Sequence, residues 1–388
     1  MSRRSALALA VALVLGSGAA GFFYRDWVAA RAEEAADLIA GWSTRLTDIA
    51  AALPEEEIES RTLTESSRSM LIILGTSADD PAFALVAASP AGVPAVVVLP
   101  QTLLVAVPGF GEFRLIDALG FEGPDLVALA VTNQFGIRID QIVTLSRGGI
   151  AAGLTAPVEV ELTAPLFVQG PAGLERLVPD GRSMVSPDLL ETLLVEAGEG
   201  DPFEFIQRQG AAWRAILEAV AGDPGIADRL LAATGGTPAA DLLVTAAASP
   251  DGVVATVPVE RAESAAGSGL APTNRAAEFV AARVGHLLIR PEGRPRIEIL
   301  NGNGRIGTTR VVAEILIRKG FRLVRTDNAD TFEHETTLVI AQGDHAAAAA
   351  REIVELLGRG SLFLEVRAPS GVVDVSIIVG DDIPSGEG

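Results

Sequence analysis

An unbroken uncharged stretch, Ser5 to Tyr24, constrains this chain more than any other feature. About 20 residues at a rise of 1.5 Å can cross a hydrocarbon core of about 30 Å. Arg3 and Arg4 precede the stretch, and Phe22, Phe23, Tyr24 and Trp27 close it. The positive-inside rule and the aromatic belt therefore predict a single-pass plasma-membrane helix, with everything after Arg25 outside the cytoplasm. Gly18-Ala19-Ala20-Gly21 also offers the small residues of a cleavage site, so a removed signal peptide is the alternative. Cysteine is absent, which excludes disulfides, zinc knuckles and thiol chemistry together.

Beyond the anchor the chain divides by pattern. From Asp26 to Leu53, apolar residues such as Trp27, Leu38, Trp42, Leu46 and Ile49 recur at helical spacing until Pro54. They predict an amphipathic stalk that packs on the first domain, on a partner or in a coiled coil. Between Arg68 and Leu288 short apolar runs alternate with helical ones. Met70 to Leu74, Phe83 to Ala88, Ala95 to Leu99 and Gln141 to Leu145 read as strands, and Leu126 to Phe135, Pro187 to Ala197 and Phe203 to Val220 as helices. Such alternation indicates an α/β layered domain.

Arg290 to Pro295 is a polar, turn-rich linker, and the unit beyond it reads as a small α/β sandwich. In that unit Arg296 to Leu300, Phe321 to Arg325, Thr336 to Ile340, Leu362 to Val366 and Val373 to Val379 are expected strands. Thr308 to Lys319 and His345 to Leu357 are expected helices, the first facing inward with Val312, Ile315, Leu316 and Lys319 and ending at Gly320. The resulting organisation is 1–25 cytoplasmic tip and anchor, 26–62 stalk, 63–289 layered domain, 290–295 linker, 296–381 sandwich and 382–388 tail. Fifty acidic against 30 basic side chains give a formal charge of −20, which disfavours nucleic acid as a partner.

Several segments of the layered domain follow a known order of motifs. Arg68-Ser69-Met70-Leu71 opens an apolar run, Leu99-Pro100-Gln101-Thr102 closes another, and Val107-Pro108-Gly109 precedes Arg114-Leu115-Ile116-Asp117. Gly136-Ile137-Arg138-Ile139-Asp140, Asp180-Gly181-Arg182-Ser183 and Ile206-Gln207-Arg208-Gln209 come later. This order resembles the LytR–CpsA–Psr family, which attaches glycopolymers to the bacterial cell wall through R-S-D-T, I-P-R-D, K-I-N-A, G-I-x-I-D, D-G-x-x-A and R-x-x-R-Q motifs. The resemblance implies acids that place a divalent cation, arginines that grip a polyprenyl pyrophosphate, and an apolar tunnel for the prenyl tail. Here Met70, Gln101, Thr102 and Phe205 stand where those acids and arginines are expected. Arg68, Arg114 and Arg208 remain as candidate headgroup contacts, though each alone is more often a solvated surface arginine. The runs Met70 to Leu74, Ala95 to Leu99 and Ile206 to Leu217 could line a tunnel or fill a core.

The C-terminal unit resembles the LytR C-terminal domain along its whole length, on Asn301-Gly302-Asn303-Gly304, Lys319-Gly320-Phe321, Asp327-Asn328-Ala329, Thr336-Thr337-Leu338-Val339-Ile340, Gly343-Asp344 and Val373 to Gly380. Gly302-Asn303-Gly304-Arg305-Ile306-Gly307 also spells GxGxxG, with Asp327 twenty residues on, as in a dinucleotide fingerprint. No second crossover helix is expected between Phe321 and Ile340, which argues against a cofactor. A tight glycine turn, or an anion-binding turn at Asn301, Gly302, Asn303 and Gly304, remain as readings.

The expectation is an extracytoplasmic relative of these ligases in an actinobacterial envelope. It would use no cofactor and bind polyprenyl phosphate or a glycan lipid, wall polymer, or envelope proteins without catalysis. The alternatives are an active Mg²⁺-dependent phosphotransferase with a rearranged site, and a structural partner of an active paralogue.

Overall fold

The structure, a computed structural model, describes residues 68–75, 81–89, 92–171, 173–231, 236–248, 253–365 and 371–384. The anchor and stalk expectations fall outside the described residues. Among those described, no helix is long and apolar enough to cross a membrane. Residues from Leu63 onward form one compact unit.

The layered part opens with β1 (Arg68–Leu74), β2 (Ala82–Ser89) and β3 (Gly92–Leu99), an antiparallel meander. A hairpin of β4 (Leu104–Val107) and β5 (Gly111–Arg114) leads into α1 (Leu115–Glu122) and α2 (Pro124–Phe135). β6 (Gln141–Leu145) then pairs parallel to β1. After α3 (Gly149–Gly153) come β7 (Val158–Leu162), β8 (Leu166–Gly170), β9 (Gly173–Val178) and β10 (Gly181–Val185), paired as β7 with β10 and β8 with β9. Four helices follow: α4 (Pro187–Val195), α5 (Pro202–Gly222), α6 (Gly225–Leu231) and α7 (Gly236–Ala248). β11 (Val253–Thr256) completes the main sheet in the order β11-β3-β2-β1-β6. The hairpin β12 (Val259–Ser264) and β13 (Gly267–Pro272) and helix α8 (Ala276–Val284) end this part.

Both faces of the main sheet are covered, which is why its strands read as continuous apolar runs. Met70, Ile72, Leu74, Val96 and Val98 pack with α4, α5, α6 and α7. Leu71, Ile73, Phe83, Val97 and Leu99 pack with α1, α2 and α8. Every residue of Met70 to Leu74 and Ala95 to Leu99 is at most 3% exposed, so these runs fill cores and do not line an open tunnel. Ile216 and Leu217 of α5 are likewise buried. The apolar pattern was the same for both outcomes, and packing at crystal-like density takes the space.

The C-terminal part consists of β14 (Arg296–Asn301), α9 (Thr308–Arg318), β15 (Arg322–Asn328), β16 (Leu338–Gln342), α10 (Ala347–Leu357), β17 (Ser361–Glu365) and β18 (Val375–Val379). Its sheet order is β15-β14-β18-β16-β17, with β16 antiparallel to β18. The helices bury Val312, Ala313, Leu316, Ile317, Ala350 and Ile353 against Ile297, Ile299, Val339 and Ile377, a two-layer sandwich. The inward face of α9 is thus rotated from expectation, since Ala313 and Ile317 are buried and Lys319 is exposed. Gly320 does end the helix at φ +86°, with its N–H donating to Ile317 O. The domain runs past residue 381. Asp382 accepts from Thr337 N at 2.9 Å and Oγ1 at 2.6 Å, and Ile383 is buried.

The two parts are docked. Asn133 of α2, 1% exposed, donates to Leu323 O at 2.9 Å and accepts from Leu323 N at 2.8 Å. Leu129 inserts into the C-terminal core, and Arg310 pairs with Glu122. Arg294 donates to the carbonyls of Gly320 and Phe321, so residues 290–295 are interface as much as connection.

Candidate functional site

The turn after β3 and the start of α5 meet at one end of the main sheet. Pro100, Gln101 and Thr102 face Gly198, Gly200, Asp201, Phe205 and Ile206 across a cleft of about 110 Å³. A second, more open cleft of about 510 Å³ lies on the other side of Gln101 and Thr102, beside Arg114, Asp117 and Phe121. Phe121 stacks on Phe110 at 4.6 Å between ring centres and meets Phe113 edge-on at 5.0 Å, giving that cleft an aromatic rim.

Helix α5 begins at Asp201, whose carboxylate caps Phe203 N at 2.9 Å and pairs with Arg261 at 2.6 Å. The capping bond to Phe203 and the Arg261 partner hold its pKa below the ordinary carboxylate range. Two turns in, Arg208 is 2% exposed. Its Nη2 donates to Ala197 O at 2.5 Å, and its guanidinium stands 5.8 Å from the Phe205 ring centre. Nε and Nη1 are buried without a hydrogen-bond partner among the described residues, as is Oε1 of Gln101. Burial pulls the Arg208 pKa below its ordinary value, partly offset by Glu204 and Glu196. A buried donor left unsatisfied costs about 1–3 kcal/mol, more when charged.

The three arginines expected to hold a headgroup are therefore not assembled. Arg68 opens β1, and Leu99 lies across β2 from Ile73, so Arg68 is roughly 17 Å from the Gln101 turn along the strand direction. Met70, the residue aligned with the first motif acid, is fully buried in the core. Arg114 does line the open cleft, but Asp117 grips it as a fork, with Nε–Oδ2 at 2.9 Å and Nη2–Oδ1 at 2.8 Å. That side-chain bond raises the Arg114 pKa against the opposing effect of burial. Arg208 sits directly behind the wall of the smaller cleft, held there by Ala197.

The Asp117 fork was missed from sequence, although Arg and Asp at i and i+3 across a helix start could have revealed it. Gln209, the last residue of the R-x-x-R-Q match, donates from Nε2 to Leu194 O at 2.6 Å.

The divalent cation implied by the resemblance does not suit the donors present. Asp201 and Asp117 are each engaged by an arginine, and Gln101 and Thr102 are neutral. Among the described residues no three His, Asp or Glu side chains converge. Hard cations of this kind take several anionic oxygens, which the described residues around the clefts do not offer. Asp79 and Asp80, in the connection between Gly75 and Pro81, lie outside the described residues.

The glycine turn of the C-terminal part is self-satisfied. Asn301 Oδ1 accepts from Asn303 N at 3.2 Å and Gly304 N at 2.9 Å, Asn303 Oδ1 accepts from Arg305 N, and Gly302 N donates to Val379 O. No amide of Gly302 to Arg305 is left to hold an anion. A Cβ on Gly302 would stand 2.9 Å from Val379 O and 2.7 Å from Ile378, so close packing explains that glycine. β15 and β16 follow one another without an intervening helix, the connection expected from sequence.

The family model described as LytR cell envelope-related transcriptional attenuator matches residues 294–382. This segment is similar to the LytR C-terminal family. The match begins at the half-buried Arg294, just before β14, and ends at Asp382, beside the buried Ile383. No curated protein matches the chain. Similar solved structures include B. subtilis TagV, at 15% identity and TM-score 0.46, covering 59% of this chain and 99% of that one. A LytR-Csp2A-Psr enzyme from Actinomyces oris is 19% identical at TM-score 0.43, covering 57% and 90%. B. subtilis TagT is 15% identical at TM-score 0.42, covering 56% and 88%. The LytR C-terminal domain thus stands on a sequence match, and the part before it on its own architecture.

Proposed function

We propose that this chain is a divergent relative of the LytR–CpsA–Psr ligases that binds a phosphorylated glycan of the cell envelope without transferring it. Its anchor would span residues 5–24 and leave the LytR C-terminal domain outside the plasma membrane. The observation that carries the binding role is Arg208, a desolvated cation with two unused donors directly behind the Gln101–Phe205 cleft. A phosphate entering from the cleft and displacing Phe205 would satisfy both donors with short, charge-assisted bonds. At about 110 Å³ the cleft suits a phosphate with part of a sugar, so a prenyl carrier would keep its tail in the bilayer. Among the described residues lining the two clefts, each carboxylate is already held by an arginine, which supports holding over transfer.

The test uses full-length protein in detergent with a polyprenyl pyrophosphate and Mg²⁺. Binding should be detected by native mass spectrometry and weakened about tenfold or more in Arg208→Gln, with no hydrolysis or transfer. Chelator-sensitive turnover would restore the phosphotransferase reading. Absence of any bound lipid would leave a structural partner of an active paralogue, a role that the closed interior also supports.

A further inference from the structure

A cavity of about 610 Å³ opens where the two parts dock, between the end of α2, α8, the residues around Pro291 and the starts of β14 and β15. Arg290, Arg294, Arg296 and Arg322 all line it, and none of its lining residues is acidic. In a chain with 50 acidic and 30 basic side chains, this is a local reversal of sign. Two of the four charges are neutralised, Arg290 by Glu352 and Arg296 by Asp374. Among the described residues Arg294 meets only the carbonyls of Gly320 and Phe321. Arg322 is exposed, and its guanidinium has no partner among the described residues. Burial first, then the neighbouring charges of Arg322 and Arg290, pull Arg294 down to about 10. Cations crowded without a counter-ion behave in this way.

The rest of the lining is mixed. Phe135, Val280 and Leu288 give an apolar wall, and Gln134, Thr273 and Asn274 add neutral hydrogen-bonding groups. Arginine forks match phosphate oxygens, apolar walls suit the C–H face of a sugar ring, and amides suit its hydroxyls. We infer that this cavity is a binding site for a phosphorylated saccharide, held through its phosphate by Arg294 and Arg322. The site goes beyond the function proposed above and shares no residue with the Gln101–Phe205 cleft, so either can fail alone.

Calorimetric titration of the full-length protein with glucose 1-phosphate, inorganic phosphate and glucose tests the site. Glucose 1-phosphate should bind more tightly than inorganic phosphate, and glucose should not bind. Arg322→Glu should weaken glucose 1-phosphate at least tenfold without changing the thermal midpoint, because that side chain is free. Ala277→Trp, placed on the exposed lining of α8, should block binding sterically. Arg214→Glu makes the same charge change on the exposed face of α5 and should leave affinity unchanged. Competition by a glycerol phosphate oligomer identifies a polymer as the source of the phosphate, and its failure identifies a monoester. Equal affinity for inorganic phosphate, an undiminished Arg322→Glu variant, an equal loss in Arg214→Glu, or no binding at all overturns the assignment.

Discussion

Asn133 is the side chain on which the junction between the two parts depends. It is buried on α2 and satisfies both backbone groups of Leu323, 190 residues away. No other residue type offers a donor and an acceptor in that planar arrangement except glutamine, which is one methylene too long. Asn133→Ala removes both partners and leaves a buried N–H and C=O unpaired. A loss of about 1–3 kcal/mol is expected, read from the urea midpoint at unchanged m-value. Asn133→Gln should recover little of it. This role has no trace in the sequence, because a lone asparagine within an apolar helix has no local signature of a partner so distant. Arg208 was legible as a residue of interest through its motif, but not as a buried one. The distance of Arg68 from the Gln101 turn was not legible, because which end of a sheet a strand start occupies depends on pairing, and β2 intervenes.

Among the elements, β14 and the segment entering β18 are tied together by Asp374. Its carboxylate accepts from Arg296 N at 2.7 Å and Nη2 at 2.8 Å, while its own N–H donates to Arg296 O at 2.8 Å. Burial opposes ionisation here, yet the Arg296 bonds and the charges of Arg296 and His345 outweigh it, holding the Asp374 pKa below the ordinary range. A carboxylate depressed in the folded state stabilises fully above its unfolded pKa of about 3.9 and loses that contribution as pH falls through the folded value. Asp374→Asn should therefore be less stable than the parent by a constant margin above about pH 5, narrowing below about pH 4. Unfolding curves across that range measure it, and a margin that grows on acidification would contradict the assignment. β1, β3, β14 and β18 were readable because sheets buried on one or both faces leave strong apolar runs. β9 is mostly exposed and β12 has no buried residue, so neither left such a pattern. The Ala-rich α7 has apolar residues nearly all round, so its period did not stand out.

At the scale of the whole molecule, the layered part and the LytR C-terminal domain form one unit, and the proposed topology hangs on residues 1–25. A reporter fused after Gly388 should be active only in its exported form. Activity restricted to the cytoplasmic form would remove the envelope role altogether. Pro and Gly content marks a turn-rich segment near residue 290, but its docking was not legible, because Arg290 and Arg294 look like ordinary linker charges until their carbonyl partners are known. That docking also bears on how such chains can be rearranged. The C-terminal domain cannot be moved between proteins like a bead on a string. Its β15 is read through main-chain atoms by a helix from the other part, so a graft must carry α2 with it. Chimaeras that exchange residues 294–384 alone should express two folded halves with no fixed angle between them.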